Sequence, residues 1–277
     1  MQWQIKGDTG SCLCLRVCAR PISAMPEEKT VYLKTKGLVI RETRIKEADK
    51  LLTLLCPGHG KITVKARGVM KDKSKNSAPC QLFCWSDFTL YENRGYYTVT
   101  EATPVDMFSE LQTDPVKFAL GAYFCEICEL LSQTDSVSDE LLRLTLNMLY
   151  ALCRLDVPCE FVRGAFEARA LVCGGYMPDI EVCAGCGCEP DTPIISITEF
   201  TVRCVNCPGE YGEEKAISVE AYRAIKYFLS APLKNLLSIS LSPGDIRYLV
   251  SVTEAWLESR VGGKASRNYY KGMLNYG

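Results

Sequence analysis

Gly58-His59-Gly60-Lys61-Ile62-Thr63-Val64-Lys65-Ala66-Arg67 begins as a turn and continues as a strand. Ile62, Val64 and Ala66 fall on one face of that strand, and Lys61, Thr63, Lys65 and Arg67 fall on the other. The glycines flanking His59 supply the positive φ angles that a tight hairpin needs. Upstream, residues 51–55 form an apolar run that Pro57 stops, which makes them the partner strand. Residues 31–44 are rich in β-branched residues and alternate in polarity. Downstream lie a polar basic loop over 71–77 and two further strands at 82–92 and 96–102, joined through Asn93-Arg94-Gly95. Five strands with hairpin turns in a stretch this short predict a small closed barrel.

Pro104 marks a change of period from two to between three and four. Residues 115–132 carry Phe118, Tyr123, Ile127 and Leu131 at helical spacing. Ser138 is the expected N-cap of a second helix running to about residue 154, apolar almost all round and therefore buried. A third starts at Pro158 and ends near Cys173-Gly174-Gly175. Further helices are expected over 218–229, 245–260 and 266–274.

Between the third and fourth of these helices the chain reads Cys183-x2-Cys186, seventeen residues, Cys204-x2-Cys207. Two CxxC pairs at this separation are the sequence form of a structural four-cysteine Zn2+ site, and four protein ligands leave no open position for substrate. Glycines 185 and 187 and Pro208-Gly209 suit the tight turns of such knuckles. Cys188 offers an alternative to Cys186 as ligand. The other cysteines among the sixteen, including Cys84, Cys125, Cys128, Cys153 and Cys173, sit mostly in apolar segments, where a reduced thiol acts as a small hydrophobe. Residues 1–24 hold an apolar run too short and too broken by arginine for a secretory leader. They read as a poorly ordered extension ahead of a natural start at Met25.

The net charge of −1 conceals a division. Residues 30–75 hold twelve Lys and Arg against four Asp and Glu, whereas residues 106–277 hold fifteen against twenty-three. A basic front with an acidic back points to a polyanion as partner of the front. The candidate contacts are Lys34, Lys36, Arg41, Arg44, Lys61, Lys65, Arg67, Lys71, Lys73 and Lys75, with Tyr32, Tyr91, Tyr96 and Tyr97 available to stack on bases. Catalysis finds no support. The single histidine, His59, sits at a hairpin tip, and there is neither a Walker loop nor a dinucleotide fingerprint. An enzyme using the zinc would need an open coordination site. An RNA-binding barrel with a zinc ribbon shares the same physics and stays open as an alternative.

Three segments, Thr35-Lys-Gly-Leu-Val-Ile-Arg41, Ala48-Asp-Lys-Leu-Leu-Thr-Leu-Leu55 and Gly60-Lys-Ile-Thr-Val-Lys-Ala-Arg-Gly68, resemble the N-terminal domain of the bacterial RecO family of recombination mediators. The resemblance continues through Leu82-Phe83, Leu90-Tyr91, the helical segments and the late cysteines. It implies an α+β chain: an N-terminal five-stranded OB-fold barrel over 30–104, then an all-helical domain over 105–277 with the four-cysteine zinc module embedded at about 180–212. It further implies a non-enzymatic cytoplasmic, nucleoid-associated protein that binds single- and double-stranded DNA and anneals complementary strands. Its implied partners are RecR, the acidic C-terminal tail of single-strand-binding protein and, indirectly, RecA. Arg154, Arg163 and Arg169 are the candidate basic rim for such a tail.

Overall fold

The computed structural model describes residues 31–132, 139–209, 212–262 and 264–274. The expected extension at 1–24 and the expected cap at Ser138 lie outside them. Val31–Gly277 forms one compact unit. Strands β1 (Val31–Arg44), β2 (Lys50–Cys56), β3 (Gly60–Ala66), β4 (Trp85–Asn93) and β5 (Tyr96–Asp106) close into a barrel in the order β1-β2-β3-β5-β4. Neighbours are antiparallel except β3 and β5, which run parallel with Val64 opposite Tyr97 and Lys65 opposite Thr98. β1 is long enough to serve two partners: residues 31–38 pair with β4 and residues 38–44 with β2, across a register shift at Val39/Arg41.

The alternation expected in β3 holds, with Val64 and Ala66 buried and Thr63 and Arg67 exposed. Gly58 and Gly60 adopt φ of 69° and 64° at the hairpin tip, values that cost glycine little. Val39, Leu52, Leu54, Val64, Phe88 and Leu90 fill the barrel. Two strand boundaries differ from the periodicity. β4 starts at Trp85 because Phe83 takes a left-handed backbone (φ 70°) and sends its ring outward, edge-on to Phe118 of the first helix at 5.2 Å. β5 continues past Pro104, which lies beside the register shift at Trp85/Ser86, where the ladder is already irregular.

The helices are α1 (Pro115–Leu131), α2 (Asp139–Arg154), α3 (Cys159–Cys173), α4 (Val219–Ser230), α5 (Pro243–Arg260) and α6 (Lys264–Leu274). Their starts follow from local chemistry. The Asp114 carboxylate accepts the Val116 and Lys117 N–H groups, Ser218 accepts Ala221 N–H, and Ser242 accepts Asp245 N–H. Pro115 and Pro243 occupy first-turn positions, where a missing N–H costs nothing. α3 ends at Gly174-Gly175, with Tyr176 N–H returning to Leu171 O at 2.8 Å. α2 is not buried all round: Arg143, Asn147, Tyr150 and Arg154, spaced by four, three and four, form an exposed stripe.

Leu38, Ile40, Leu55 and Phe83 of the barrel join Tyr123, Phe124, Leu144 and Leu149 of the helices in one continuous apolar cluster. The barrel wall thus docks on α1 and α2 by burial of shared surface, which holds its opposite wall and far end toward solvent.

The region after α3 is not all-helical. Four short strands, β6 (Asp179–Cys183), β7 (Pro193–Ser196), β8 (Thr201–Cys204) and β9 (Glu214–Ala216), form a second sheet in the order β6-β8-β7-β9. Each is too short to print a clear period amid the cysteines and glycines around it. The sheet leans on α4 and α5: Tyr222 Oη donates to Ile180 O at 2.8 Å, Trp256 Nε1 donates to Ser196 O at 3.1 Å, and Phe200 stacks on Trp256 at 5.3 Å. Cys125 and Cys128 lie buried in the helical core, where burial pushes the Cys128 thiol up to about 12. Among the described residues the cysteines form no disulfide, and no helix is long and apolar enough to cross a membrane.

Candidate nucleic-acid interface and metal centre

β6 and β8 each end in a cysteine, so the two knuckles emerge side by side. The sulfur atoms of Cys183, Cys186, Cys204 and Cys207 all lie within 4.8 Å of one another. Cys186 and Cys204 Sγ are 3.7 Å apart, close to the spacing of about 3.8 Å that Zn–S bonds of about 2.3 Å set at tetrahedral angles. Cys188 is exposed and outside this group, with its Sγ 3.9 Å from Cys186 O. Gly185 is favoured by proximity: a Cβ there would crowd Cys207, meeting its Cβ at 3.1 Å and its Sγ at 3.3 Å. Arg203 bolts the second knuckle to the sheet. It makes a bidentate pair with Glu214 at 2.8 and 2.6 Å and donates to Cys204 O and Cys207 O at 3.1 and 2.9 Å.

The donor set fits a thiophilic cation. The Cys204 N–H donates to Cys183 Sγ at 3.2 Å and holds that thiol down at about 6. Burial, with the neighbouring sulfurs, pushes Cys204 up to about 12, and hydrogen bonds with the neighbouring sulfurs push Cys207 up to about 11. One thiolate forms readily at Cys183, and Cys204 and Cys207 resist ionisation beside it. A divalent cation at the centre removes that repulsion. Four cysteines in this arrangement are compatible with one zinc.

On the barrel, register brings distant residues onto one outer wall. Lys65 lies opposite Thr98, Thr98 opposite Tyr91, and Tyr91 opposite Tyr32. Lys34 opposes Thr89 and Lys36 opposes Asp87 in the next two rows. The Tyr32 and Tyr91 rings meet at 5.9 Å. Where β3 ends and the β4–β5 hairpin turns, Arg67, Tyr91, Asn93, Arg94, Tyr96 and Thr98 line a pocket of about 320 Å³. Arg44 lies in the same region and donates to Glu47 O at 3.1 Å within the β1–β2 loop. Asp49 fastens that loop by accepting Gly68 N–H at 2.9 Å, which holds its carboxyl below the usual carboxylate value, and it also pairs with Lys65 at 3.5 Å.

The ten candidate cations therefore divide. Lys34, Lys36, Arg67, Lys71, Lys73 and Lys75 are exposed and form no ion pair among the described residues. Arg44 and Lys65 are anchored lightly beside them. Arg41 and Lys61 lie elsewhere, at the junction with α1, where both reach Glu129: Arg41 Nη1 to the carboxylate at 3.0 Å and Lys61 Nζ to the carbonyl at 2.9 Å. Of the four tyrosines, Tyr97 packs against the barrel core. Asn93 and Arg94, which the sequence places in the hairpin turn, and Thr98 on β5 join the tyrosines in this lining, a role that turn chemistry alone does not announce.

Arg154, Arg163 and Arg169 do not form a common rim. Arg154 pairs with Asp106 at 3.0 Å and Glu110 at 3.6 Å. Arg169 donates to Leu229 O and pairs with Glu140. Arg163 is buried among Glu160, Glu167 and Glu254. Each is consumed by internal acids, which sequence spacing alone did not reveal.

Comparison with known proteins agrees with both parts of the molecule. Residues 30–108 match the family model described as "Recombination protein O N terminal", and residues 112–268 match "Recombination protein O C terminal". The DNA repair protein RecO of Acetivibrio thermocellus is 31% identical over 242 residues, covering 87% of this chain and 94% of that relative. Those of Clostridium novyi and Caldicellulosiruptor bescii are 31% and 30% identical, each over 76% of this chain and over 81% and 85% of their own lengths. With both parts matched and a relative aligned along nearly its whole length, the chain belongs to the RecO family, whose role is in DNA repair and recombination.

Proposed function

We propose that this protein is a non-enzymatic recombination mediator that binds single- and double-stranded DNA through its barrel and anneals complementary strands. The observation that carries this reading is the group of exposed cations without ion-pair partners among the described residues, beside exposed tyrosines, on the wall and end of the barrel turned away from the helices. The contacts proposed are Lys34, Lys36, Arg44, Lys65, Arg67, Lys71, Lys73 and Lys75, with Arg41 and Lys61 committed to the junction with α1. Cations along such a surface displace the counterions of phosphates, giving affinity that is independent of sequence and sensitive to salt. Two strands held on one surface gain effective concentration and lose mutual repulsion, so pairing accelerates without covalent chemistry. Zinc held by the four cysteines is structural in this account. Membership of the family supports RecR as working partner, contact with the acidic tail of single-strand-binding protein, assistance to RecA loading, and a place at the nucleoid in the cytoplasm.

The test is strand annealing on DNA precoated with cognate single-strand-binding protein and supplied with no nucleotide. The protein should accelerate pairing, and neutralising Lys34, Lys36 and Arg67 together should abolish most of the gain. Absence of acceleration, or a requirement for ATP, would contradict the proposal.

A further inference from the structure

The pocket at the barrel end has a composition that a phosphate track alone does not call for. Its lining joins two aromatic rings, Tyr91 and Tyr96, to one carboxamide, Asn93, one hydroxyl, Thr98, and two guanidinium side chains, Arg67 and Arg94. Tyr96 is 80% exposed although it is a large ring on a strand, so its position is not set by packing into the core. Tyr91 also makes a tilted ring contact with Tyr32, with centroids 5.9 Å apart. At about 320 Å³ the pocket lies near the lower bound of about 300 Å³ for small-ligand sites.

We propose that this pocket is a subsite for one unpaired nucleobase. The proposal rests on the DNA-binding reading and sharpens it. The Tyr91 and Tyr96 rings supply stacking surface, which every base can use. Asn93 and Thr98 supply donor and acceptor groups for a base edge. Arg67, exposed and without an ion pair among the described residues, supplies charge for a flanking phosphate. A base within a duplex is already stacked and paired, and taking it out costs a few kcal/mol. The pocket therefore favours single strands over duplex, while the lysines along the wall hold either. That division suits an annealing protein: the unpaired strand is gripped by a base as well as by phosphates, and the grip on the base is released when pairing draws it back into a helix.

The experiment measures fluorescence anisotropy of the full chain with three ligands of equal length: a single strand, its duplex, and a single strand of abasic nucleotides, which keeps the phosphates and lacks the bases. Tyr96→Ala should weaken the ordinary single strand by about tenfold, leave the duplex and the abasic strand unchanged, and preserve the salt slope. Tyr96→Phe should restore single-strand affinity, because the ring is kept. Equal weakening of single strand and duplex, or wild-type affinity for the abasic strand as high as for the ordinary one, would overturn the subsite and leave the phosphate-binding barrel standing. Wild-type protein without salt-sensitive affinity for any of the three would overturn the DNA-binding reading and the subsite together.

Discussion

Arg163→Met is expected to destabilise the protein by about 3–5 kcal/mol, the cost of leaving a buried charge without its partner. Arg163 is 3% exposed and Glu167 fully buried. The guanidinium donates to Glu160 at 2.8 Å, Glu254 at 2.9 Å and Glu167 at 3.4 Å. Glu167 also accepts from Tyr123 Oη at 2.9 Å and Thr253 Oγ1 at 2.6 Å, so one carboxylate ties α1, α3 and α5 together. Burial pushes its carboxyl up to about 6, and Arg163, Thr253 and Tyr123 limit the rise. A carboxyl raised in the folded state favours folding below its unfolded value near 4.5 and loses that contribution as pH rises through about 6. Without Arg163 the carboxyl rises further. The deficit of the variant should therefore be greatest above the variant's own raised value and shrink as pH falls toward about 6, below which Glu167 is protonated in both folded proteins and the deficit levels off. Denaturant midpoints across that range measure it, and a deficit independent of pH would contradict the role given to Glu167.

Stripping the zinc proposed at the four cysteines, or replacing Cys204 with serine, should unfold the second sheet while the barrel and helices persist. Its strands span three to five residues each, so their ladders are short, and the cysteine cluster at the ends of β6 and β8 ties two of them together. A four-thiolate zinc site contributes on the order of 10 kcal/mol of apparent binding energy, enough to hold them. The reporter is Trp256, whose indole N–H bonds to Ser196 O and whose ring stacks on Phe200, both in this module. Loss of zinc should change its fluorescence and open the amides of β7 and β8 to hydrogen exchange, with little change in those of β1 and β4. A metal-free protein with this sheet fully protected would refute the assignment.

The barrel was legible because it is built locally. Hairpin turns and period-two strands print their geometry in adjacent residues, as Gly58 to Arg67 illustrate. The four-cysteine cluster was legible for the same reason: each knuckle is a short turn with a fixed bite, and Cys188 stood apart only once the sulfurs were placed. Long-range pairing was not legible. Nothing near Arg41 or Lys61 in the chain announces Glu129, and nothing near Arg163 announces Glu254. Basic residues that look alike in sequence thus separated into exposed cations and junction struts. The cysteine-rich sheet was hidden too, because strands of three to five residues carry too few alternations to separate from loop.

The central claim is that the barrel binds DNA through exposed cations that no acid among the described residues neutralises. Affinity for a single strand measured against salt concentration tests it most directly. The logarithm of affinity should fall linearly with the logarithm of salt. Replacing Lys34, Lys36 and Arg67 with glutamine should flatten the slope by about 2, at about 0.7 for each phosphate that the variant leaves unneutralised. Lys234→Gln, on the helical side of the molecule, should leave the slope as it was. A flat wild-type response, or a slope unmoved by the triple substitution, would contradict the account.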